Sequence, residues 1–526
     1  MIGTFRQSMG WLHTWAGLVF CWLLYFMFVT GTLGYFDTEV DHWMKPEQPA
    51  PQTVPLEPSL AAALNRLEAE GVGADRWSII LPNRREVPHM RISWRGPTPA
   101  EGEERQSGNE TLDAWTGEPL PDNVRDTGGG QTLYRMHYTL HYIDRQIAFR
   151  FIGVVTMFMF IGLVSGVVIH KKIFKDLFTF RPAKGGRSWL DMHNLLSVSS
   201  LPFQLMITYS GLLFTVTTWM PLIAVGSYGF DTKKVASELG TLADIQIERA
   251  GTSAELTDVY GLAAEAEGLW GEGQVQSVNV RLPGDANARV IVLRNRGVGT
   301  VGEQRVYDGV SGEYLQTIDP RTRTPIAIAS ALIGLHEGLY AGPLLRWLYF
   351  LSGLLGAGMV ATGAIYWTRK RRKKLPYHEL SRGYRMVDGL NLGTILGLPI
   401  GIAAYFWANR LLPLGLDGRA EWEVHCLFIT WAVCLLYPLA RTVQAAWRDL
   451  AWIAACAFAA IPLINAMTTD AHLVNSLRTG DHVMAAFDVT ALVFGLLFGA
   501  LATALGRTKV TTRPATAKTP TAVGVP

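Results

Sequence analysis

Eight apolar blocks set the architecture this chain can adopt. They run at about 11–36, 147–169, 195–224, 344–367, 390–412, 423–440, 450–467 and 484–506. Each approaches the roughly 20 residues a helix needs to cross the hydrocarbon core of a bilayer. With 49% hydrophobic and 17% charged residues over 526 positions, the chain is also poorer in charge than a soluble protein of this size. A polytopic α-helical membrane protein with about eight transmembrane helices is therefore expected, with the lipid bilayer as its first partner. The first block is too long for a cleavable leader and ends in Gly31-Thr32-Leu33-Gly34 without a small-residue cleavage pattern.

The basic residues sit in short loops: Lys171, Lys172, Lys175, Arg181, Lys184 and Arg187, then the run Arg369–Lys374, then Arg441, Arg448, Arg507 and Lys509. Eight spans put all of these on one side, which the positive-inside rule makes the cytoplasm, together with both termini. Residues 37–146 and 225–335 then face the other side. Each reads as a small α+β domain. The first has a helix near Leu60–Glu70 and strands near Trp77–Leu81 and Met90–Trp94, and ends in a turn at Thr116-Gly117-Glu118. The second has a helix near Glu255–Glu267 and strands near Val275–Arg281 and Arg289–Leu293, and ends at Ser311-Gly312-Glu313. The expected divisions are 1–36 (first span), 37–146 (outer domain), 147–224 (two spans and a cytoplasmic loop), 225–335 (second outer domain), 336–374 (span and basic loop), 375–507 (a four-span appendage) and 508–526 (a Thr/Pro/Ala-rich disordered tail).

Spacing exposes an internal repeat. His13 stands as far before Gly31 as His193 stands before Gly211, and the two glycines follow hydroxyl residues, Thr30 and Ser210. The step from Gly117 to His141 equals that from Gly312 to His336. The spans that follow carry Ser165-Gly166 and Thr362-Gly363. Residues 1–170 and 190–370 thus read as two copies of span, outer domain, span.

Twelve histidines are present, many near span ends. A single interfacial imidazole is as often a hydrogen-bonded bystander as a ligand. Four in equivalent positions of a duplicated membrane unit point to more. Zinc or non-haem iron would prefer carboxylates or cysteines beside the histidines, and few carboxylates lie in the spans. Haem iron accepts two axial imidazoles, and the many span glycines let helices approach closely. The repeat pairs His13 with His193 at the cytoplasmic level and His141 with His336 at the outer level, with His170 and His137 as alternates. Two haem b groups are implied. The absence of Cys-x-x-Cys-His in the sequence excludes covalent c-type attachment. From His141 to His170 is about 43 Å if wholly helical, a long path for an electron.

Trp11-Leu12-His13-Thr14-Trp15-Ala16-Gly17, Ile169-His170-Lys171-Lys172-Ile173-Phe174-Lys175-Asp176, Trp189-Leu190-Asp191-Met192-His193-Asn194 and Leu335-His336-Glu337-Gly338, followed by Arg346-Trp347-Leu348-Tyr349, together resemble the PepSY-associated transmembrane family of iron-regulated inner-membrane proteins. The resemblance covers about residues 1–375. It implies two periplasmic PepSY-like domains and, from members that are ferric-siderophore (ferrioxamine) reductases, two b-type haems passing electrons to a periplasmic ferric-siderophore and releasing ferrous iron. The electron donor would be a membrane quinol or a cytoplasmic reductase. Two other classes compete: a non-catalytic regulator that docks a protein partner, and a siderophore transporter, against which the spans show few buried charges or broken-helix signals. Gly297-Val298-Gly299-Thr300-Val301-Gly302 opens no helix and carries no nucleotide-site reading, and nothing points to nucleic acid.

Overall fold

In a computed structural model, residues 4–51, 54–97, 105–121, 124–170, 173, 180–181, 185–216, 247–372 and 382–507 are described. The C-terminal tail and half of the basic residues of the two Lys/Arg-rich loops fall outside them. So do residues 217–246, which include the first part of the second outer region.

Among the described residues, six helices are long and apolar enough to cross a membrane: Arg145–Ile169, Pro343–Arg371, Arg382–Leu411, Arg419–Ala440, Val443–Thr468 and His482–Arg507. Two bent helix pairs pass the same test when each is taken together. Helix α1 (Phe5–Val19) meets α2 (Cys21–Leu33) at Phe20, and the stretch Cys21–Met44 that α2 opens is bent by 64° from α1. Helix α7 (Gly186–Ser199) meets α8 (Leu201–Phe214) at Ser200, with a bend of 67°. Phe20 follows His13 at the same step as Ser200 follows His193, so both breaks fall at the same place relative to the imidazole. In the second pair Pro202 opens α8, where its missing N–H removes a rung of the helix ladder. The described residues thus hold six candidate spans, or eight if each bent pair is one span, and the expectation of few broken-helix signals is overturned. The break at Phe20 carries no proline or glycine signal.

The apolar block before each straight span of the repeat resolves into two helices. Helix α5 (Gly129–Thr139) precedes α6 (Arg145–Ile169), and α10 (Thr324–Glu337) precedes α11 (Pro343–Arg372). Leu140 and Gly338 end the short helices in the left-handed region, at φ 48° and 64°. Asp144 then caps α6 by accepting from the N–H groups of Gln146 and Ile147 at 3.0 and 3.1 Å. The expected boundary at 335/336 thus cuts α10 just before His336.

The two outer regions form one sheet. Its strands run in the order β3-β2-β1-β4-β5-β6-β7, all neighbours antiparallel, with β1 Arg76–Ile80, β2 Met90–Arg95, β3 Ser107–Leu112, β4 Val275–Arg281, β5 Arg289–Arg294, β6 Gln304–Asp308 and β7 Tyr314–Ile318. β1 is the joint: Ile79 faces Ile92 of β2 on one side and Val278 of β4 on the other. Two separate domains would each leave an unpaired strand edge, and this pairing removes both. Helices α4 (Leu56–Glu70) and α9 (Val259–Trp270) cover one face. Leu60, Ala63, Leu67, Trp77, Ile79, Val278, Val290 and Tyr307 belong to one common core. The two Gly-Glu turns are near copies. In each, an aspartate (Asp113, Asp308) accepts from two N–H groups of the turn, and Gly117 or Gly312 takes φ of 72° or 77°.

The last four spans lock to the first half through charge buried where they meet the sheet-side segment Asp37–Met44 (α3). The Arg410 guanidinium lies over the Trp43 ring at 3.7 Å and donates to Asn465 Oδ1 at 2.8 Å. Asp488 accepts from Trp43 Nε1 at 3.0 Å and from Asn465 Nδ2 at 3.1 Å. Arg419 and Glu423, both wholly buried, pair at 2.6 Å, and Thr127 donates to Glu423 at 2.6 Å. The expectation of few buried charges in the spans fails here. These groups sit at span ends, where they look like ordinary interfacial residues, and the contact between the two parts buries them.

Candidate functional site

Four imidazoles lie against glycines of neighbouring helices, and each glycine follows a hydroxyl residue. His13 of α1 rests on Gly166 of α6, where a Cβ would stand 3.1 Å from its Cε1. His193 of α7 rests on Gly363 of α11, where a Cβ would stand 3.2 Å away. His336 of α10 rests on Gly211 of α8 at 3.3 Å, and His137 of α5 on Gly31 of α2 at 3.5 Å. At Gly166, Gly363 and Gly211 the missing side chain gives the ring room, since an added Cβ would press on it, while at Gly31 it would only touch.

At the first level the anchoring is duplicated. His13 Nδ1 is 2.8 Å from the Gly162 carbonyl, and His193 Nδ1 is 2.8 Å from the Met359 carbonyl, each one turn before the glycine shelf. Ser165 and Thr362 donate to the same two carbonyls at 3.1 and 3.0 Å. An Nδ1–H given to a carbonyl fixes the neutral tautomer and leaves Nε2 with its lone pair for a metal. Among the described residues no hydrogen bond reaches either Nε2. The two rings face each other, centroids 6.2 Å apart at 64°.

At the sheet-side level, Ser210 Oγ lies 3.0 Å from His336 Nδ1, and His137 Nδ1 is held by the Tyr134 carbonyl of its own helix. His141 is elsewhere: its Nε2 is 3.0 Å from Glu421 Oε2 on the helix Arg419–Ala440. His141 thus lies against the last four spans, while the alternate, His137, shares with His336 the arrangement of an imidazole on a glycine shelf. The connector is one helical turn shorter in the first half, Gly117 to His137 against Gly312 to His336. The left-handed Leu140 then swings His141 away from α5. His170 caps the end of α6, one turn beyond the shelf of His13.

The two levels are about three helical turns apart. Gly353 of α11 abuts Thr32, the neighbour of Gly31, and Gly363 follows later on the same helix. At 1.5 Å per residue the levels are about 15 Å apart along the helix, well short of the path expected from His141 to His170. Leu24, Val155, Met159, Leu163 and Met359 form a dry cluster between the packed helices.

No group of three or more His, Cys, Asp or Glu side chains among the described residues is arranged to hold a bare metal ion. Two-imidazole pairs suit an ion that brings its other ligands with it. The donor set is neutral nitrogen, its orientation fixed from behind, in apolar surroundings. What sequence reasoning misses is the partner of each ring. The signal lies in Ser165-Gly166 and Thr362-Gly363, which read as span landmarks and are in fact shelves.

Comparison with known proteins follows this division. No curated protein matches the chain. The model of the PepSY-associated TM region matches residues 10–370, which takes in all four imidazoles and the whole fused sheet and stops before the last four spans. The chain belongs to the family of the PepSY-associated TM region.

Proposed function

We propose that this chain is a di-haem b reductase of a bacterial inner membrane. His13 with His193, and His137 with His336, would each hold one haem iron, and electrons would reach a ferric-siderophore at the periplasmic sheet. One observation carries the reading: the 6.2 Å between the His13 and His193 ring centres. Metal–imidazole bonds of about 2 Å, and about 1.1 Å from a ring nitrogen to the centre of a five-membered ring with bonds near 1.33 Å, put two imidazole centres about 6 Å apart across one metal ion. The fourfold repetition of imidazole, hydroxyl and glycine supports the duplication of one unit.

Bound haem supplies a one-electron couple whose potential follows its axial ligands and the polarity around it. The chain's own part is positional. The Gly162 and Met359 carbonyls hold the rings in one tautomer, the glycines admit them, and Leu24, Val155 and Leu163 keep water out. Reduction suits release of the cargo, because siderophores grip ferric iron through hard oxygen donors and ferrous iron is a softer, weaker partner for them. The basic loops argue for cytoplasmic termini.

The test is electron passage across a sealed bilayer. Proteoliposomes loaded with a reductant should generate ferrous iron from an external ferric hydroxamate, and His13→Ala or His336→Ala should stop it. A colourless protein, or reduction that survives both substitutions, ends the reading. The two bent spans favour one second reading, a carrier, since broken helices line many transport sites. Uptake of the intact chelate into vesicles without a reductant would establish it.

A further inference from the structure

We propose that the patch where the loop His141–Asp144 meets the helix Arg419–Ala440 is a hydroquinone oxidation site, a second point of electron entry at the sheet-side level, separate from the path across the bilayer. This rests on the di-haem reading and names a second donor for it. Glu421, His425 and Phe428 stand at i, i+4 and i+7 and so share one stripe of that helix. Each meets the loop. His141 Nε2 lies 3.0 Å from Glu421 Oε2, and the Tyr142 hydroxyl lies 2.7 Å from His425 Nδ1. The Tyr142 and His425 rings stack at 5.8 Å and 20°. Phe428 underlies both loop residues, at 6.2 Å from the His141 ring and 5.0 Å from that of Tyr142. None of these groups serves the imidazole pairs.

The surroundings select the ligand. The Glu421 side chain is 62% exposed, whereas Trp422, Ile429, Ile143 and Ile147 present apolar surface at the ends of two spans. A ligand here has an aromatic head with exchangeable protons and an apolar tail in the bilayer, which describes a hydroquinone. Its oxidation requires two bases and an exit for two electrons. With Nε2–H donated to Glu421, His141 keeps Nδ1 as a base, and the carboxylate stabilises the imidazolium that forms, as in a His–Asp dyad. With Nδ1–H donated to the Tyr142 oxygen, His425 keeps Nε2 as the second base. The exit is a run of rings: Phe428 to Trp431 at 6.0 Å, then Trp431 to Phe26 at 5.5 Å and 4°. Phe26 lies on α2, and its carbonyl accepts from the Thr30 hydroxyl beside Gly31, the shelf of His137.

The balance closes. One hydroquinone becomes one quinone, giving one proton to each of His141 and His425 and thence to water beside Glu421, and two electrons toward His137. Each ferric ion of the chelate takes one electron, so two become ferrous per hydroquinone. A two-electron donor facing a one-electron acceptor needs somewhere for the second electron to wait, and two imidazole pairs provide that.

Two measurements on the full-length purified protein test this. Photolabelling with an azido-quinone should mark peptides within 138–147 and 419–432, a readout that needs no haem. Stopped-flow mixing of the oxidised holoprotein with decylubiquinol should reduce the haem bands. His425→Leu and the double variant His141→Leu/Tyr142→Phe should each slow this by at least about tenfold, while dithionite still reduces them fully with wild-type spectra. Labelling elsewhere, or wild-type quinol rates in both variants, overturns the site. Labelling at the patch of a colourless protein upholds the site and refutes the di-haem reading instead.

Discussion

Adding one methyl group at Gly363 separates the shelf from the fold. The Cβ of Gly363→Ala would stand 3.2 Å from both Cε1 and Nδ1 of His193. That is a few tenths of an ångström inside ordinary contact, so the ring must tilt, and the 2.8 Å bond from Nδ1 to the Met359 carbonyl is what it tilts away from. A neutral hydrogen bond of this kind contributes about 1 kcal/mol. Alanine in place of a mid-helix glycine returns about 1 kcal/mol of helix propensity. The two nearly cancel, so thermal stability should stay within about 1 kcal/mol of wild type. Ligation should not: losing the group that orients a metal-bound histidine typically weakens the metal about 10- to 100-fold. Haem titration of the apoprotein, read in the Soret band, should therefore show one of two sites weakened by that factor, with unchanged circular dichroism. Gly17→Ala is the control, since nothing lies within 4 Å of the added carbon. If Gly363→Ala binds both haems as tightly as the control, the shelf is ordinary helix packing.

Three further outcomes follow from the same geometry. His137→Ala should lose one low-spin haem and His141→Ala should keep both; the reverse result would restore the count-based pairing. Arg410→Leu removes the donor to the buried Asn465 Oδ1 and the cation over Trp43 and should cost about 1–3 kcal/mol, seen as a fall in melting temperature, whereas an unchanged melt would mean the network carries no stability. The third concerns acid. The Thr116 N–H holds the Asp113 carboxyl below the usual carboxylate range, and the Ser311 N–H does the same for Asp308. A depressed folded value gives stability that is full above the unfolded pKa near 3.9 and is lost as pH falls through the folded one. Amide exchange in the sheet should quicken below about pH 4 in wild type, and Asp113→Asn with Asp308→Asn should flatten that dependence; an equally steep loss in the double variant would place the acid sensitivity elsewhere.

The spans are legible in the sequence because apolar runs of this length have few other uses, and the straight helices begin and end close to the ends of the runs. His13 and His193 are legible because a repeat makes equal spacing meaningful. The same logic fails at His141, where a connector shorter by one helical turn and a left-handed leucine move the equivalent position to His137. A left-handed leucine gives no warning, since glycine and asparagine are the usual marks of that conformation. The fused sheet is invisible because alternation in Trp77-Ser78-Ile79 and Val278-Asn279-Val280 announces a strand but not its partner in the other outer region. Arg410, Glu423 and Asp488 stand at span ends, where charge is common, and only the contact with Trp43 and Thr127 buries them.

The central claim is that four imidazoles, taken two and two, each grip one porphyrin iron. Its most direct measurement is the pyridine haemochrome content of the detergent-purified chain from haem-replete cells, taken with its reduced spectrum. Two b-type haems per polypeptide, both low-spin, are expected. A chain with no haem, or one whose haem content is unaffected by removing His13, His193, His137 and His336 together, would contradict it.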